Sequence, residues 1–235
     1  MGRKPHCCAV IVAAGSSTRM ALGFSKQFVS LCGTPAIVRT LSAFSSAELI
    51  QSIVVVCREE DIAQVGNEIQ KYKINKVTAI VEGGATRQKS VAAGISAVPE
   101  AAAYFAVHDG ARALITPEEI NASVEDAYEC GASALAVPVK DTIKIIGKNH
   151  YVVSTPERST MWAVQTPQVF ERGLYQRAMK QAMTDGGDYT DDCQLVEHIG
   201  VKVHLCMGTY TNIKLTTMED VEIAQTILKG REVPL

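Results

Sequence analysis

The chain has 235 residues, 47% of them hydrophobic, and a formal net charge of -2. That length and apolar content suffice for a full core, and dispersed basic residues at near-zero net charge argue against a nucleic-acid groove or an anionic membrane surface as partner. Seven cysteines, with Cys7 and Cys8 adjacent and no CxxC pair, fit neither a disulfide framework nor a zinc knuckle, which leaves reduced thiols of a cytosol.

The opening MGRKPHCC carries two positive charges, but the apolar run after it breaks at Gly15. It is too short to span a bilayer and poor as a secretory signal, so a soluble cytoplasmic protein is expected. AVIVAA at 9–14 is the first predicted strand; Ala13, Ala14 and Gly15 close it in a small-residue turn, with Arg19 and Lys26 beyond. PAIVRTLSAF at 35–44 puts Ile37, Leu41 and Phe44 on one helical face, with Pro35 in the first turn. Strands are predicted at 52–57 (SIVVVC) and 76–81 (KVTAIV). In EGGATRQKSV at 82–91 two glycines end a strand and Arg87 and Ser90 open a helix one turn apart; VAAGISAV at 91–98 continues it. AYFAVH at 103–108 runs into Asp109 and a glycine. TPEEINASVEDAYECG at 116–131 has Thr116 as N-cap, Pro117 behind it, Glu118 and Glu119 in the first turn and Gly131 as the stop. SALAVPV at 133–139 is the fifth strand.

Near-continuous apolar strands alternating with helices predict an α/β fold, a three-layer sandwich around a mostly parallel sheet covered on both faces. PVKDTIKIIGKNHYVVSTPERST at 138–160 breaks that rhythm: two extended segments flank a Gly147-Lys148-Asn149 turn. An isolated two-stranded ribbon is marginal in water, so this one packs either on its own domain or, the reading we favour, on a second copy of the chain. Helices are then predicted at 171–183, 190–200 and 216–228, with a strand at 201–207. The expectation is one domain over 1–235 with a β-arm at about 139–160.

Open α/β sheets bind ligands at the carboxyl ends of their strands. Bare backbone at Ala13, Ala14 and Gly15 lets an anion approach, and Arg19 and Lys26 add full charges. This is neither a Walker loop nor a dinucleotide fingerprint, and an ordinary strand-to-helix turn with solvated cations is the bland alternative. Arg87 and Ser90 could read a base edge. Asp109 at a strand end suits a hydrated Mg²⁺ among phosphates. His108 reads as a core histidine bonded to backbone in preference to a catalytic one. In TNIKLTT at 211–217, Lys214 stands at a strand end before the last helix. Together these strand ends indicate a polyphosphate site with a metal.

In order along nearly the whole chain, AVIVAAGSSTRM with SKQF, GGATRQKSV, VHDGAR, DTIK, ERSTMWAVQTPQVF, TDD and NIKLTT resemble the 2-C-methyl-D-erythritol 4-phosphate cytidylyltransferase family of non-mevalonate isoprenoid biosynthesis. The resemblance implies a Rossmann-like domain with a protruding β-arm, a homodimer, and reaction of CTP with the polyol phosphate to give the CDP-alcohol and pyrophosphate. It implies that Ala13, Ala14, Gly15, Arg19 and Lys26 meet the triphosphate, and that Gly83, Arg87 and Ser90 meet the cytidine side. Asp109, Arg112, Thr142, Arg158, Thr166 and Lys214 would surround the acceptor, with Thr142 and Arg158 reaching in from the partner's arm. Arg19, Lys26 and Lys214 are then the catalytic cations, and Asp109 also serves CTP and the Mg²⁺. A phosphomonoester with a second pKa of about 6 is already mostly dianionic at neutral pH, so no general base is required. Three departures stand out: Ser25 replaces a usual proline, which predicts a less rigid loop at Lys26; Ala113 replaces another usual proline; and Thr211 replaces a common acid, which predicts less carboxylate near the metal. A cytidylyltransferase for ribitol 5-phosphate or another polyol phosphate, and a non-catalytic nucleotide-binding protein, are the competing readings.

Overall fold

The computed structural model describes residues 4–15 and 25–232. Arg19 lies outside the described residues.

β1 (Cys7–Val12) lies at the middle of the sheet. A short hairpin, β2 (Ser30–Leu31) and β3 (Thr34–Pro35), leads into α1 (Ala36–Ser46). Pro35 caps α1 in extended backbone (φ -57°, ψ 142°) instead of lying in its first turn, because it still belongs to that hairpin. Then come β4 (Ile50–Cys57), α2 (Ile62–Lys71), β5 (Val77–Glu82), α3 (Arg87–Ser96) and β6 (Tyr104–Asp109). α4 (Pro117–Cys130) begins in a capping box, where Thr116 accepts from the Glu119 backbone N–H and Glu119 accepts from that of Thr116. It ends at Gly131, whose φ of 80° is left-handed, as a glycine stop requires. β7 (Ala132–Pro138) follows, then the arm strands β8 (Ile145–Ile146) and β9 (Val152–Ser154). β10 (Trp162–Glu171), α5 (Arg172–Asp185), α6 (Asp192–Glu197), β11 (His204–Met207) and α7 (Met218–Glu232) complete the chain.

The main sheet has the order β11-β7-β10-β6-β1-β4-β5. All its neighbours pair in parallel except at β10, which is antiparallel to both β6 and β7. Along β1 the side chains alternate between two cores: Cys7, Ala9 and Ile11 face α1 and α4, while Cys8 and Val10 face α3 and α5. Covering both faces makes the three layers that apolar patterning predicts. Each Val or Ile so buried contributes about 1.5–3 kcal/mol. Cysteine serves here as a small apolar residue; all seven thiols are free, and burial pushes that of Cys8 up to about 11.

β10 is the strand that sequence pattern misses. Pro167 argues against a sheet interior because it cannot donate to the ladder. The structure accommodates it at a register break between Val164 and Gln168, with a cis Thr166–Pro167 bond, while Gln168–Glu171 pair with β6. The arm is a true hairpin, closed by the Gly147 N–H donating to the Tyr151 carbonyl. Its Ile145, Ile146, Tyr151, Val152 and Val153 are all exposed, Tyr151 to 77%. No helix among the described residues is long and apolar enough to cross a membrane.

Candidate active site

β1, β4, β5 and β6 end at one edge, and backbone bonds hold the loops beyond them together: Ala13 N–H to Val56 O (2.7 Å), Gly83 N–H to Cys57 O (2.8 Å) and Gly110 N–H to Val12 O (2.9 Å). β1 lies between β4 and β6, so this is the point where the strand order reverses and a crevice opens. A cavity of about 420 Å³ occupies it. Ala13, Ala14 and Gly15 form its floor, and Lys26, Arg87, Ser90, Asp109 and Lys214 stand around it.

Gly83 lies beneath that floor, next to Gly84, which lines the cavity. A methyl group on Gly83 would stand 2.3 Å from Ala14 Cβ and 2.9 Å from Ser90 Oγ, so only glycine lets the two loops meet. The buried Ser90 hydroxyl is committed to this turn: it accepts from Gly84 N–H (3.1 Å) and donates to Thr86 O (2.9 Å).

Asp109 is the electrostatic centre. Lys214 Nζ lies 2.8 Å from its Oδ2, with Arg112 Nε at 3.7 Å, and Arg87 Nε is 3.6 Å from Oδ1. Burial alone would raise this carboxyl; Lys214, Arg87 and Arg112 outweigh it and hold Asp109 well below the usual carboxylate range. Lys214 is not at a strand end as expected, since β11 stops at Met207 and the segment after it is irregular. It is held instead by the Leu215 N–H bond to Ala111 O (2.9 Å) and by Asn212, whose amide donates to Thr166 O (3.0 Å).

A chain of hydrogen bonds sets the end of β6. Asp109 N–H donates to Thr166 Oγ1 (3.1 Å), and that hydroxyl donates to His108 Nδ1 (3.0 Å). His108 Nε2 then donates to Arg112 O (3.3 Å), which fixes the tautomer. The ring is fully buried against Phe44, and burial drops its pKa to about 3. His108 is thus a neutral core histidine, and Thr166 links it to the backbone of Asp109 through the break in β10.

Lys26 opens a short turn, Lys26–Phe28, whose neighbours are tied down. Ser25 Oγ and Gln27 Nε2 both donate to Asp61 Oδ2 at 2.8 Å, and Arg58 bonds both Asp61 and Ser25. The loop predicted to loosen for want of a proline is instead anchored by the serine hydroxyl. Ala113 is buried beside Leu215, and Thr211 bonds Thr209 and Arg231 without lining the cavity.

A smaller cavity of about 180 Å³ adjoins the first and shares Arg87, Asp109 and Lys214 with it. Arg112 and Thr166 also line it. Thr142 and Arg158 do not: both are exposed on the arm segment, and neither lines either of these two cavities. Sequence reading missed Asp192, buried beneath Arg87 with Oδ2 2.7 Å from Nη1. The TDD run that contains it was the signal available.

Asp109 is the residue that could hold a divalent cation. It is ionised, it is the only carboxylate among the described residues that line the larger cavity, and Mg²⁺ needs just one or two carboxylates when phosphates and water supply the remaining oxygens. The donor set therefore fits. A second group, Asp126, Cys130 and His204, lies at the opposite edge of the sheet; there His204 Nδ1 pairs with Asp126 Oδ2 at 2.8 Å and Ser133 donates to the same oxygen.

A mostly parallel sheet with a glycine-floored, cation-walled crevice at its point of reversal defines a Rossmann-like α/β protein built to hold a phosphorylated nucleotide. The chain belongs to the 2-C-methyl-D-erythritol 4-phosphate cytidylyltransferase family, whose sequence profile matches residues 7–230. It is 44% identical over 222 residues to the 2-C-methyl-D-erythritol 4-phosphate cytidylyltransferase of Caldanaerobacter subterraneus, covering 94% of this chain and 98% of that one. It is 45% identical to the protein of that name from Alkaliphilus metalliredigens, with 95% and 93% covered. Among solved structures, the 4-diphosphocytidyl-2C-methyl-D-erythritol synthase of Anaerococcus prevotii superposes with a TM-score of 0.85 at 30% identity, covering 96% and 99%. The cytidylyltransferase of Thermus thermophilus gives 0.77 at 28%, covering 94% and 98%.

Proposed function

We propose that this chain carries out the reaction for which its family is named, transfer of the cytidylyl group of CTP to 2-C-methyl-D-erythritol 4-phosphate with release of pyrophosphate. The observation that carries the reading is the convergence of Lys26, Arg87, Asp109 and Lys214 on a crevice whose floor is bare backbone. An oxygen of the acceptor's phosphate forms a bond to the α-phosphorus of CTP, the bond from that phosphorus to the bridging oxygen breaks, and pyrophosphate leaves with the electron pair. The nucleophile is anionic already, so the task left to the protein is to bring two polyanions together and stabilise the charge that shifts to the leaving group.

Lys26 and the backbone at Ala13–Gly15 take the triphosphate, together with Arg19; Arg87 serves the cytidine side, with Gly83 and Ser90 shaping its loop. Lys214 stands on the wall common to both cavities, where charge develops. Arg112 and Thr166 serve the acceptor. Held at Asp109, Mg²⁺ would neutralise and align phosphate oxygens. The exposed apolar arm supports a homodimer in which Thr142 and Arg158 complete the partner's acceptor pocket. We read the chain as one nucleotidyltransferase domain working in the cytoplasm, where CTP is made and free thiols persist.

Pyrophosphate release from CTP with each of two acceptors tests the reading. Methylerythritol phosphate is expected to support turnover and ribitol 5-phosphate to be poor. Faster release with ribitol 5-phosphate, or CTP binding without turnover on either, overturns it.

A further inference from the structure

Arg87 lies between two carboxylates. Its Nη1 is 2.7 Å from Asp192 Oδ2, while its Nε is 3.6 Å from Asp109 Oδ1. The two partners differ in what holds them. Asp109 faces both cavities and already has Lys214 at 2.8 Å. Asp192 lines neither cavity; it is 3% exposed and bound on its far side. Tyr175, fully buried under α6, donates its hydroxyl to Asp192 Oδ1, and the Asp192 N–H donates to Gln168 Oε1 at 3.1 Å. Burial and the adjacent Asp192 push the Tyr175 phenol far up, so it stays a donor.

We propose that Asp192 is a positioning residue for the nucleotide site: anchored by Tyr175 and Gln168, it holds the Arg87 guanidinium on the wall shared by the two cavities and keeps it from closing onto Asp109. The inference rests on the nucleotide reading given above. Its physical basis is competition for one cation. A guanidinium is held best where the ion pair is close and the partner immobile; Asp192 offers both, its carboxylate buried and bonded by Tyr175 and its backbone pinned by Gln168. With that partner gone, the nearest remaining carboxylate is Asp109, and Arg87 would shift toward it. Such a shift takes Arg87 away from the nucleotide and crowds the carboxylate that pairs with Lys214.

CTP binding by calorimetry, alongside steady-state kinetics, tests this with Asp192→Asn, which keeps an acceptor for Tyr175 but removes the charge. A displacement of the order of 1 Å at a binding group weakens function by about 10- to 100-fold, and that is the loss expected in CTP affinity and in KM for CTP, with a smaller change in KM for the acceptor. Asp192→Glu should recover part of it. In an Arg87→Ala background Asp192→Asn should have little further effect, because the residue acts through Arg87. CTP affinity within twofold of wild type in folded Asp192→Asn, or the same fold-loss with and without Arg87, overturns the proposal. Should Asp192→Asn not fold, Tyr175→Phe decides, since it loosens the anchor and retains the charge: a several-fold weaker CTP affinity is expected and an unchanged one refutes. If the wild type binds CTP but does not turn over the acceptor, the activity falls while these binding ratios still judge the positioning role.

Discussion

Replacing Lys214 with alanine removes the cation closest to Asp109 among the described residues. At 2.8 Å a pair of unit charges interacts by about 6 kcal/mol at an effective dielectric near 20. The lysine side chain is 37% exposed, so water screens part of this, and about 3 kcal/mol is the share available to a phosphate at the same place. Expressed in the transition state alone, that share is about a hundredfold in kcat. Asp109 keeps Arg87 and Arg112 at 3.6 and 3.7 Å, so it remains ionised and the fold loses little. The expected result is a kcat about 100-fold lower, an acid limb of the pH–rate profile that does not move toward neutrality, and a melting temperature within a few degrees of wild type. Pyrophosphate release at saturating substrates measures the first two and calorimetry the third. A kcat within threefold of wild type would refute the reasoning, because the charge would then have no part in the chemistry. A large fall in melting temperature would refute it differently, by showing that Lys214 is needed chiefly to keep Asp109 buried.

Three further outcomes are expected. His108 has its pKa dropped from the ordinary 6.5 to about 3, so between those values the unfolded chain takes up a proton that the folded chain refuses. Stability is therefore full above about pH 6.5 and falls by at most about 1.4 kcal/mol per unit below it; in His108→Asn, denaturant titrations from pH 7 to 4 should show a shallower decline. The Asp109 contribution has a different window: it is present above the ordinary 3.8 and lost as pH falls below that, so it leaves the pH 7 to 4 comparison largely untouched. Gly83→Val puts its Cβ 2.3 Å from that of Ala14 and should abolish detectable CTP binding at concentrations that saturate wild type; wild-type affinity would mean that the two loops need not meet. Charging the arm by Ile146→Asp with Val153→Asp should yield monomers in light scattering and cut turnover by about tenfold or more, since two exposed apolar residues would no longer be covered. An active dimer would move the interface elsewhere.

Periodicity was enough for the alternating α/β order, the three layers and the caps of α4, because those depend on local spacing: apolar runs buried on both faces, a threonine before a proline, a glycine where φ must be positive. The separate strand ends were also legible as anion-binding candidates, and their ordered motifs identified the family. What chain-local signals could not supply was β10, whose Pro167 contradicts a central strand until the register break that admits it is known. Nor could they supply the Ser25–Asp61–Arg58 anchor that replaces a proline, or the buried Asp192 behind Arg87. Each of these joins residues far apart in sequence, and a hydrogen bond or ion pair acts only once folding has brought its partners within about 3 Å. Residue types along the chain thus determined which chemistry was available. The crossovers that carry β1, β6 and the 211–217 segment to one edge decided that Lys214 would meet Asp109, and that meeting is a property of distance which no composition or spacing encodes.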